Sequence, residues 1–175
     1  MTKAKKEYPL NQVHRLLQSG PVVLVTTSQK GKANIMAMSW HTVIDSDPPK
    51  LGIVLSSDNY SFKILKSTKE CVLNIPTLKL AAKAISCGKS SGKDVDKFKT
   101  FGFTALPASK VKAPLIGECY ANVECKVVDM KMVAEYDLFI LEVVKVWIDP
   151  VKKRPQTLHH LGGDKFMVAG KVIRV

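Results

Sequence analysis

Long hydrophobic runs are missing from this chain of 175 residues. Its longest apolar stretches, such as Val22 to Val25 and Leu138 to Leu141, fall far short of the roughly 20 residues that a membrane-spanning helix needs. No apolar segment follows the basic Met1 to Lys6, so no signal peptide is expected. The four cysteines, Cys71, Cys87, Cys119 and Cys125, include no close-set pair. Zinc sites want such pairs, so no metal site is expected, and four reduced thiols in a cytoplasmic protein are. Aromatic residues are few, at 7%, and acids are scarce: 15 Asp and Glu face 27 Lys and Arg, for a net charge of +12. A positive field suits nucleic acid, an anionic membrane, an acidic protein or a phosphorylated small molecule, and says nothing about fold.

Several catalytic and binding signatures are also missing. Gly88-Lys89-Ser90 resembles the end of a P-loop, but Lys83 and Ala84 stand where the upstream glycine belongs. No G-x-G-x-x-G follows a strand, and no G-x-S-x-G elbow is present. His159 and His160 are adjacent, so on a strand they point to opposite faces and make a poor metal pair. No base-reading motif accompanies the charge, so nucleic acid is not the expected partner.

What is present is an ordinary globular balance, 46% apolar and 24% charged. The length suits one domain over 1–175, with 1–8 as a flexible N-terminus. Apolar and β-branched residues predict strands over Val22–Thr27, Ala33–Met38, Trp40–Ile44, Leu51–Leu55 and Glu70–Ile75. Period-two alternation predicts another over Cys119–Val127, and the nearly continuous apolar run Leu138–Ile148 predicts one covered on both faces. Two short strands flank Gly162-Gly163. Helices are expected after Asn11, after Ser57 or Asp58, after Thr77 and over Asp94–Phe101. Many strands with small inserted helices favour an antiparallel barrel over a βαβ sheet.

Three segments carry polar residues that neither a plain core nor a plain loop requires. Asn34 to Thr42 mixes small residues, two methionines, a tryptophan and hydroxyls at a junction between strands. Small side chains there let backbone approach a flat ligand; a bulged strand with core methionines is the plainer reading. Ser56 to Lys63 opens a helix with hydroxyls and amides, which suits an anion or simple capping. Cys87 to Phe98 is rich in Gly, Ser and Lys, which suits a phosphate or a solvated loop.

Taken together, these segments resemble the flavin reductase-like family, in particular its flavoredoxin-like and archaeal ferric-reductase-like branch. The resemblance rests on Pro21-Val22-Val23-Leu24-Val25-Thr26-Thr27, Gly31 with Asn34, Ser39-Trp40, Asp47-Pro48-Pro49, and Asn74-Ile75-Pro76. It continues with Cys87-Gly88, Ser91-Gly92-Lys93-Asp94-Val95-Asp96-Lys97-Phe98, Ala113-Pro114-Leu115-Ile116, Glu118-Cys119 and Glu124-Cys125. It implies a mainly β fold, the FMN-binding split β-barrel, an antiparallel Greek-key barrel. It also implies a homodimer with one FMN per subunit near the interface. Carried over residue by residue, the flavin ring and ribityl chain meet Asn34, Met38, Ser39, Trp40, His41 and Thr42. Further contacts come from Leu55, Ser56, Ser57 and Ser61. Ser90, Ser91 and Lys97 face the phosphate, with Asn74 nearby.

One departure bears on activity. Many flavin reductases carry Gly-Asp-His before the last long strand; here the stretch reads Ala134-Glu135-Tyr136-Asp137. The family's later Gly-Glu-Val reads Leu141-Glu142-Val143. His160 is the candidate to serve at the catalytic site instead. Flavin carries its own redox chemistry, which agrees with the lack of a triad or metal cluster. The resemblance therefore implies an oxidoreductase using NADH or NADPH, or a protein donor, to reduce flavin, ferric iron or another acceptor. The alternative is an FMN-dependent electron carrier without NAD(P)H activity of its own. The basic cluster Lys152, Lys153, Arg154, Lys165, Lys171 and Arg174 lies outside the matched core, and an acidic redox protein is its expected partner.

Overall fold

The computed structural model describes residues 9–17, 20–153 and 155–174. The stretch expected to be a flexible N-terminus, 1–8, lies outside the described residues, as does Arg154. In chain order the elements are α1 (His14–Leu17), β1 (Val23–Gln29), β2 (Lys32–Met38), β3 (His41–Ser46) and β4 (Pro49–Val54). Next come α2 (Tyr60–Thr68), β5 (Glu70–Ile75), α3 (Ala81–Gly88), α4 (Lys97–Phe101), β6 (Ala105–Leu106) and β7 (Leu115–Ile116). The last are β8 (Ala121–Asp129), α5 (Val133–Tyr136), β9 (Leu138–Ile148), β10 (Leu158–Gly162) and β11 (Lys165–Val168).

Seven strands form one antiparallel sheet in the order β2-β1-β5-β8-β9-β4-β3. Its two outermost strands are consecutive in sequence and joined by only Ser39 and Trp40. From Met38 to His41 the chain reaches about 11 Å at most. A flat sheet would hold those edges about 29 Å apart, six strand spacings of about 4.8 Å. The sheet must therefore curl until its edges nearly meet, giving a barrel split along one seam. This is the mainly β, antiparallel fold expected from the sequence.

Side-chain parity on the curled sheet creates an inside and an outside. Val23, Val25, Ile53, Cys71, Leu73, Phe139 and Leu141 point inward, and α2 adds Phe62 and Leu65. Phe62 meets Phe139 edge-to-face at 5.4 Å. Outside, Leu24 and Ile35 are covered by Leu80, Ala84 and Cys87 on and before α3. Val72 lies beneath Val111, Ala113 and Leu115 of the strap between Gly102 and Gly117.

Three local details differ from the sequence reading. α2 begins at Tyr60, so its cap is Asn59, and the Asn59 side chain makes no capping bond. α4 begins at Lys97, because Asp96 accepts the Lys99 N–H at 3.2 Å. The third is β9, which is not covered on both faces. Its Phe139 and Leu141 are fully buried, but Leu138 and Ile140 are half-buried and Ile148 is 60% exposed. Phe139 and Leu141 belong to the inner core, whereas Leu138 lies beside Ile44 and Gly52 on the outer face.

The strap has little regular structure, and carboxylates on the barrel side hold its main chain. Glu124 is fully buried and accepts from Ser109 N–H and Oγ, Lys110 N–H and Trp147 Nε1. Glu118 accepts from Thr104 N–H and Oγ1, and Glu70 from Lys112 N–H. Burial alone would raise the Glu124 pKa, but the bonds from Trp147, Ser109 and Lys110 outweigh it and hold it below 4.5. For Glu118 too, bonds from Thr104 outweigh burial and lower the value. A lowered carboxyl pKa contributes stability that is complete above its ordinary value and lost as pH falls through the lowered one. Glu124→Gln is thus expected to cost about 1.5–3 kcal/mol at neutral pH, read by urea unfolding. It should also flatten the acid decline in stability below pH 4.5.

Candidate functional site

The seam of the barrel opens into two adjoining cavities. The larger is about 750 Å³ and the smaller about 270 Å³. Met36, Asn59, Gly88 and Lys89 line both, so they form two lobes of one cleft. They differ in chemistry. The larger is floored by apolar and small groups including Met38, Val54, Ala84 and Ile85. The smaller is edged by Asn34, Ser61, Ser90, Ser91, Gly92 and Lys97.

The smaller lobe holds polar groups that the protein itself does not fully pair. Lys97, the first residue of α4, is only 4% exposed. Its Nζ donates to the Cys87 carbonyl at 2.8 Å, at the C-terminal end of α3. That end is electronegative, which suits a cation. No carboxylate among the described residues pairs with Lys97. Burial lowers its pKa, with a smaller opposing effect from Cys87. The Cys87 thiol is itself pushed up to about 11 by burial, so it is no nucleophile. Asn34 donates through Nδ2 to Ser61 Oγ at 2.7 Å, while its buried Oδ1 has no donor. Gly92 presses against that oxygen: an added Cβ would lie 1.8 Å from it.

The larger lobe borders an open strand edge. Cys87 Sγ donates to the Ile35 carbonyl at 3.8 Å, so that carbonyl faces away from β1. Parity on an antiparallel edge strand repeats every two residues, so Ala37 also turns its backbone groups to the open side. Ala37 lines the lobe, as do Ser39 and Trp40 of the two-residue link. The far wall comes from the β10–β11 hairpin and from Glu135, Tyr136 and Asp137. The hairpin is a separate two-stranded sheet. It is tied to the barrel where Val22 N–H donates to the Leu158 carbonyl at 2.6 Å.

The residues singled out from sequence divide accordingly. Asn34, Ser61, Ser90, Ser91 and Lys97 meet in the smaller lobe. Met38, Ser39, Trp40, Ser56 and His160 line the larger. Five others lie outside both. Asn74 is buried between sheet and strap, its Nδ2 donating to the Leu24 carbonyl and its Oδ1 accepting from Ile116 N–H and Asn122 Nδ2. Leu55 is fully buried inside the barrel. The His41 ring is spent on the Pro21 carbonyl, 2.7 Å from Nε2. Thr42 is exposed beside Gly52 and Ile44, and Ser57 N–H donates to Asp137 Oδ2 at 3.1 Å.

Several lining residues were not singled out. Gly88, Lys89 and Gly92 sit inside the Gly/Ser/Lys segment already marked, where glycine and cation content was the available signal. Leu158, Gly163 and Phe166 come from a hairpin about 120 residues beyond β2, and no local pattern reports such a contact.

A flavin reductase like domain matches residues 16–165 of the chain. A protein of Pyrococcus abyssi is 34% identical over 131 residues, covering 75% of each chain. Among solved structures, the FMN-binding domain of a flavin reductases-like enzyme from Shewanella baltica superposes with a TM-score of 0.83 at 27% identity, over 96% of this chain and 95% of that one. Flavoredoxin of Desulfovibrio vulgaris superposes with a TM-score of 0.82 at 25% identity, over 89% and 90%.

The close approach of Gly92 to Asn34 gives a direct test of the cleft's construction. Gly92→Ala must displace a buried, hydrogen-bonded amide and is expected to destabilise the protein by about 1–3 kcal/mol in chemical unfolding. Ser90→Ala, at a half-buried hydroxyl bonded to the Ser86 carbonyl at 3.2 Å, should cost less.

Proposed function

The chain belongs to the flavin reductase-like family, and on that footing we propose that its two-lobed cleft binds FMN and that the protein is an FMN-dependent oxidoreductase. In this reading it takes electrons from NADH, NADPH or a protein donor and passes them to flavin, ferric iron or another acceptor. The observation that carries the proposal is the pairing of an apolar lobe with a polar pit whose buried lysine lacks a counter-charge.

The residues fit the cofactor. A phosphate supplies the negative charge that Lys97 lacks, and the Ser90 and Ser91 hydroxyls add donors. A ribityl hydroxyl supplies the donor that Asn34 Oδ1 lacks. The backbone groups of Ala37 can read the polar edge of a flat ring, while Val54, Ala84 and Ile85 exclude water. FMN, when bound, supplies the hydride and single-electron chemistry. The protein's part is to hold it, to place donors where charge develops and to limit access.

A second reading has its own support. Glu135 and Asp137, at the lobe's far wall, oppose the approach of an anionic dinucleotide, and no histidine stands in that turn. This favours an electron carrier reduced by a protein donor. The basic side chains Lys153, Lys165 and Lys171 are exposed and suit an acidic one.

A homodimer is part of the proposal. Ile44 and Val128 are each 49% exposed, and Ile44 lies beside Gly52 and Leu138 on the outer face of β3, β4 and β9. A second copy would cover this apolar strip. The four free, buried cysteines suit a reducing compartment, the cytoplasm. No helix among the described residues is long and apolar enough to cross a membrane.

Purified protein is expected to be yellow, or to become so with added FMN. Anaerobic bleaching by NADH or NADPH supports the oxidoreductase; bleaching only by a protein donor supports the carrier. A protein that stays colourless with FMN present refutes both. Lys97→Met should weaken FMN binding about 10- to 150-fold, the loss of one charge-assisted contact. Wild-type affinity should also fall as pH rises through the lowered pKa of Lys97, because phosphate binds its charged form.

A further inference from the structure

The ladder between β4 and β9 ends in a side chain. Its paired register runs to Val54 opposite Leu138. One residue on, Leu55 N–H donates to the Asp137 carbonyl at 3.0 Å. Two residues further, Ser57 N–H donates to Asp137 Oδ2 at 3.1 Å. Alternate amides of an extended chain point the same way, so one residue meets both, with its carbonyl and its carboxylate. The backbone of Asp137 makes this possible. It caps α5 at φ +54°, in the left-handed region that aspartate tolerates. Its own N–H donates to the Val133 carbonyl at 3.1 Å. Asp137 is thus fixed by main chain at its N–H, its carbonyl and its carboxylate. It is half-buried, and no ion pair among the described residues includes it.

The turn held in this way borders the cleft. Ser56 lines the larger lobe, and Asn59 lines both. Ser56 closes the turn on itself: its carbonyl accepts from Asn59 N–H at 2.9 Å and its Oγ from Asp58 N–H at 3.3 Å. Asp137 lines the larger lobe as well. One carboxylate therefore sets the pose of this wall and leaves a fixed negative charge on it. The cations stand elsewhere, Lys97 in the smaller lobe and Lys89 where the lobes meet.

We propose that Asp137 is a positioning residue that holds down the reduction potential of the flavin: it pins the turn over 56–59 against the cleft and keeps a fixed negative charge on the wall of the ring's lobe. The inference rests on the FMN reading. Uptake of two electrons and one proton leaves the ring with one net negative charge, so a carboxylate on the wall favours the oxidised form. Across roughly 10 Å, at an effective dielectric constant of about 20, one unit charge changes such an equilibrium on the order of tenfold. The bond from Ser57 N–H keeps this charge in place. Glu135 lines the same lobe but is exposed, so water and salt screen it.

Two variants separate pose from charge. Asp137→Asn keeps an oxygen for the Ser57 N–H and removes the charge; Asp137→Gly removes both and suits the positive φ. Hydrogen exchange on unloaded protein reads the pose. Exchange at the Ser57 amide is expected to speed about fivefold or more in Asp137→Gly and to stay within about twofold of wild type in Asp137→Asn. Each protein is then loaded with FMN, checked by its visible absorbance, and its midpoint potential is read against a redox dye in mildly alkaline buffer. Asp137→Asn is expected to raise the potential by about 30 mV, a tenfold gain in affinity for reduced over oxidised flavin. Glu135→Gln should move it far less. An unchanged potential in FMN-loaded Asp137→Asn overturns the inference and leaves the FMN reading standing, as does an equal shift in Glu135→Gln. Unchanged Ser57 exchange in Asp137→Gly overturns it too. Failure of wild-type protein to load FMN overturns the FMN reading and the inference with it.

Discussion

The link of two residues between β2 and β3 is the constraint on which the rest of the molecule depends. Ser39 and Trp40 join the opposite edges of a seven-stranded sheet. Closure within about 11 Å leaves no option but a curled sheet with a seam. The seam presents open strand edge, which folded proteins normally cover or blunt. α3 covers part of the β2 edge, through Cys87 on the Ile35 carbonyl. What α3 leaves open is the cleft. Trp40 anchors the crossing from the other side, its carbonyl accepting from Val54 N–H at 3.0 Å. Fold closure and site formation are one event.

Within the seam the polar pit is built against its own stability. A lysine taken out of water with one carbonyl as partner, and an amide oxygen with none, are costs to the unliganded fold. They persist because neighbours leave them no escape: Ser61 holds Asn34, Gly92 blocks it, and α4 fixes Lys97. The remaining thiols carry no such tension. Cys119 is pushed up to about 12 by burial. Cys71 is raised by its hydrogen bond with Cys125 and by burial. Both are inert core groups.

Much of the architecture was legible because its signals are local. The limits of β5, Glu70–Ile75, and of β9, Leu138–Ile148, follow from apolar runs bounded by polar or breaking residues. The Gly/Ser/Lys segment announced the polar pit, because close backbone approach and cations are readable as composition. Long-range contacts were not legible. Asn74 looks like a ligand contact in sequence, yet it is consumed by Leu24, Ile116 and Asn122 from three other parts of the chain. His41 is taken by Pro21, where the chain enters β1. The hairpin itself was legible as two strands about Gly162-Gly163, but its docking against the cleft was not. The apolar run of β9 suggested cover on both faces, but Leu138 and Ile140 are only half-buried and Val146 and Ile148 are exposed.

The strap shows what the scarce acids are for. Glu70, Glu118 and Glu124 grip main-chain amides of the strap more than its side chains. A main-chain amide is the same in every residue but proline. Substitution at the strap's exposed positions is therefore cheap wherever a proline is avoided, whereas the glutamates are tied to particular amides, Glu124 to two at once, and Val111, Ala113 and Leu115 are fixed by burial against Val72. Sequence drift should accumulate on the exposed positions of the outer ribbon and stall on Glu70 and Glu124 of the sheet beneath it and on Glu118 in the turn after β7. The ribbon's path is thus encoded outside the ribbon.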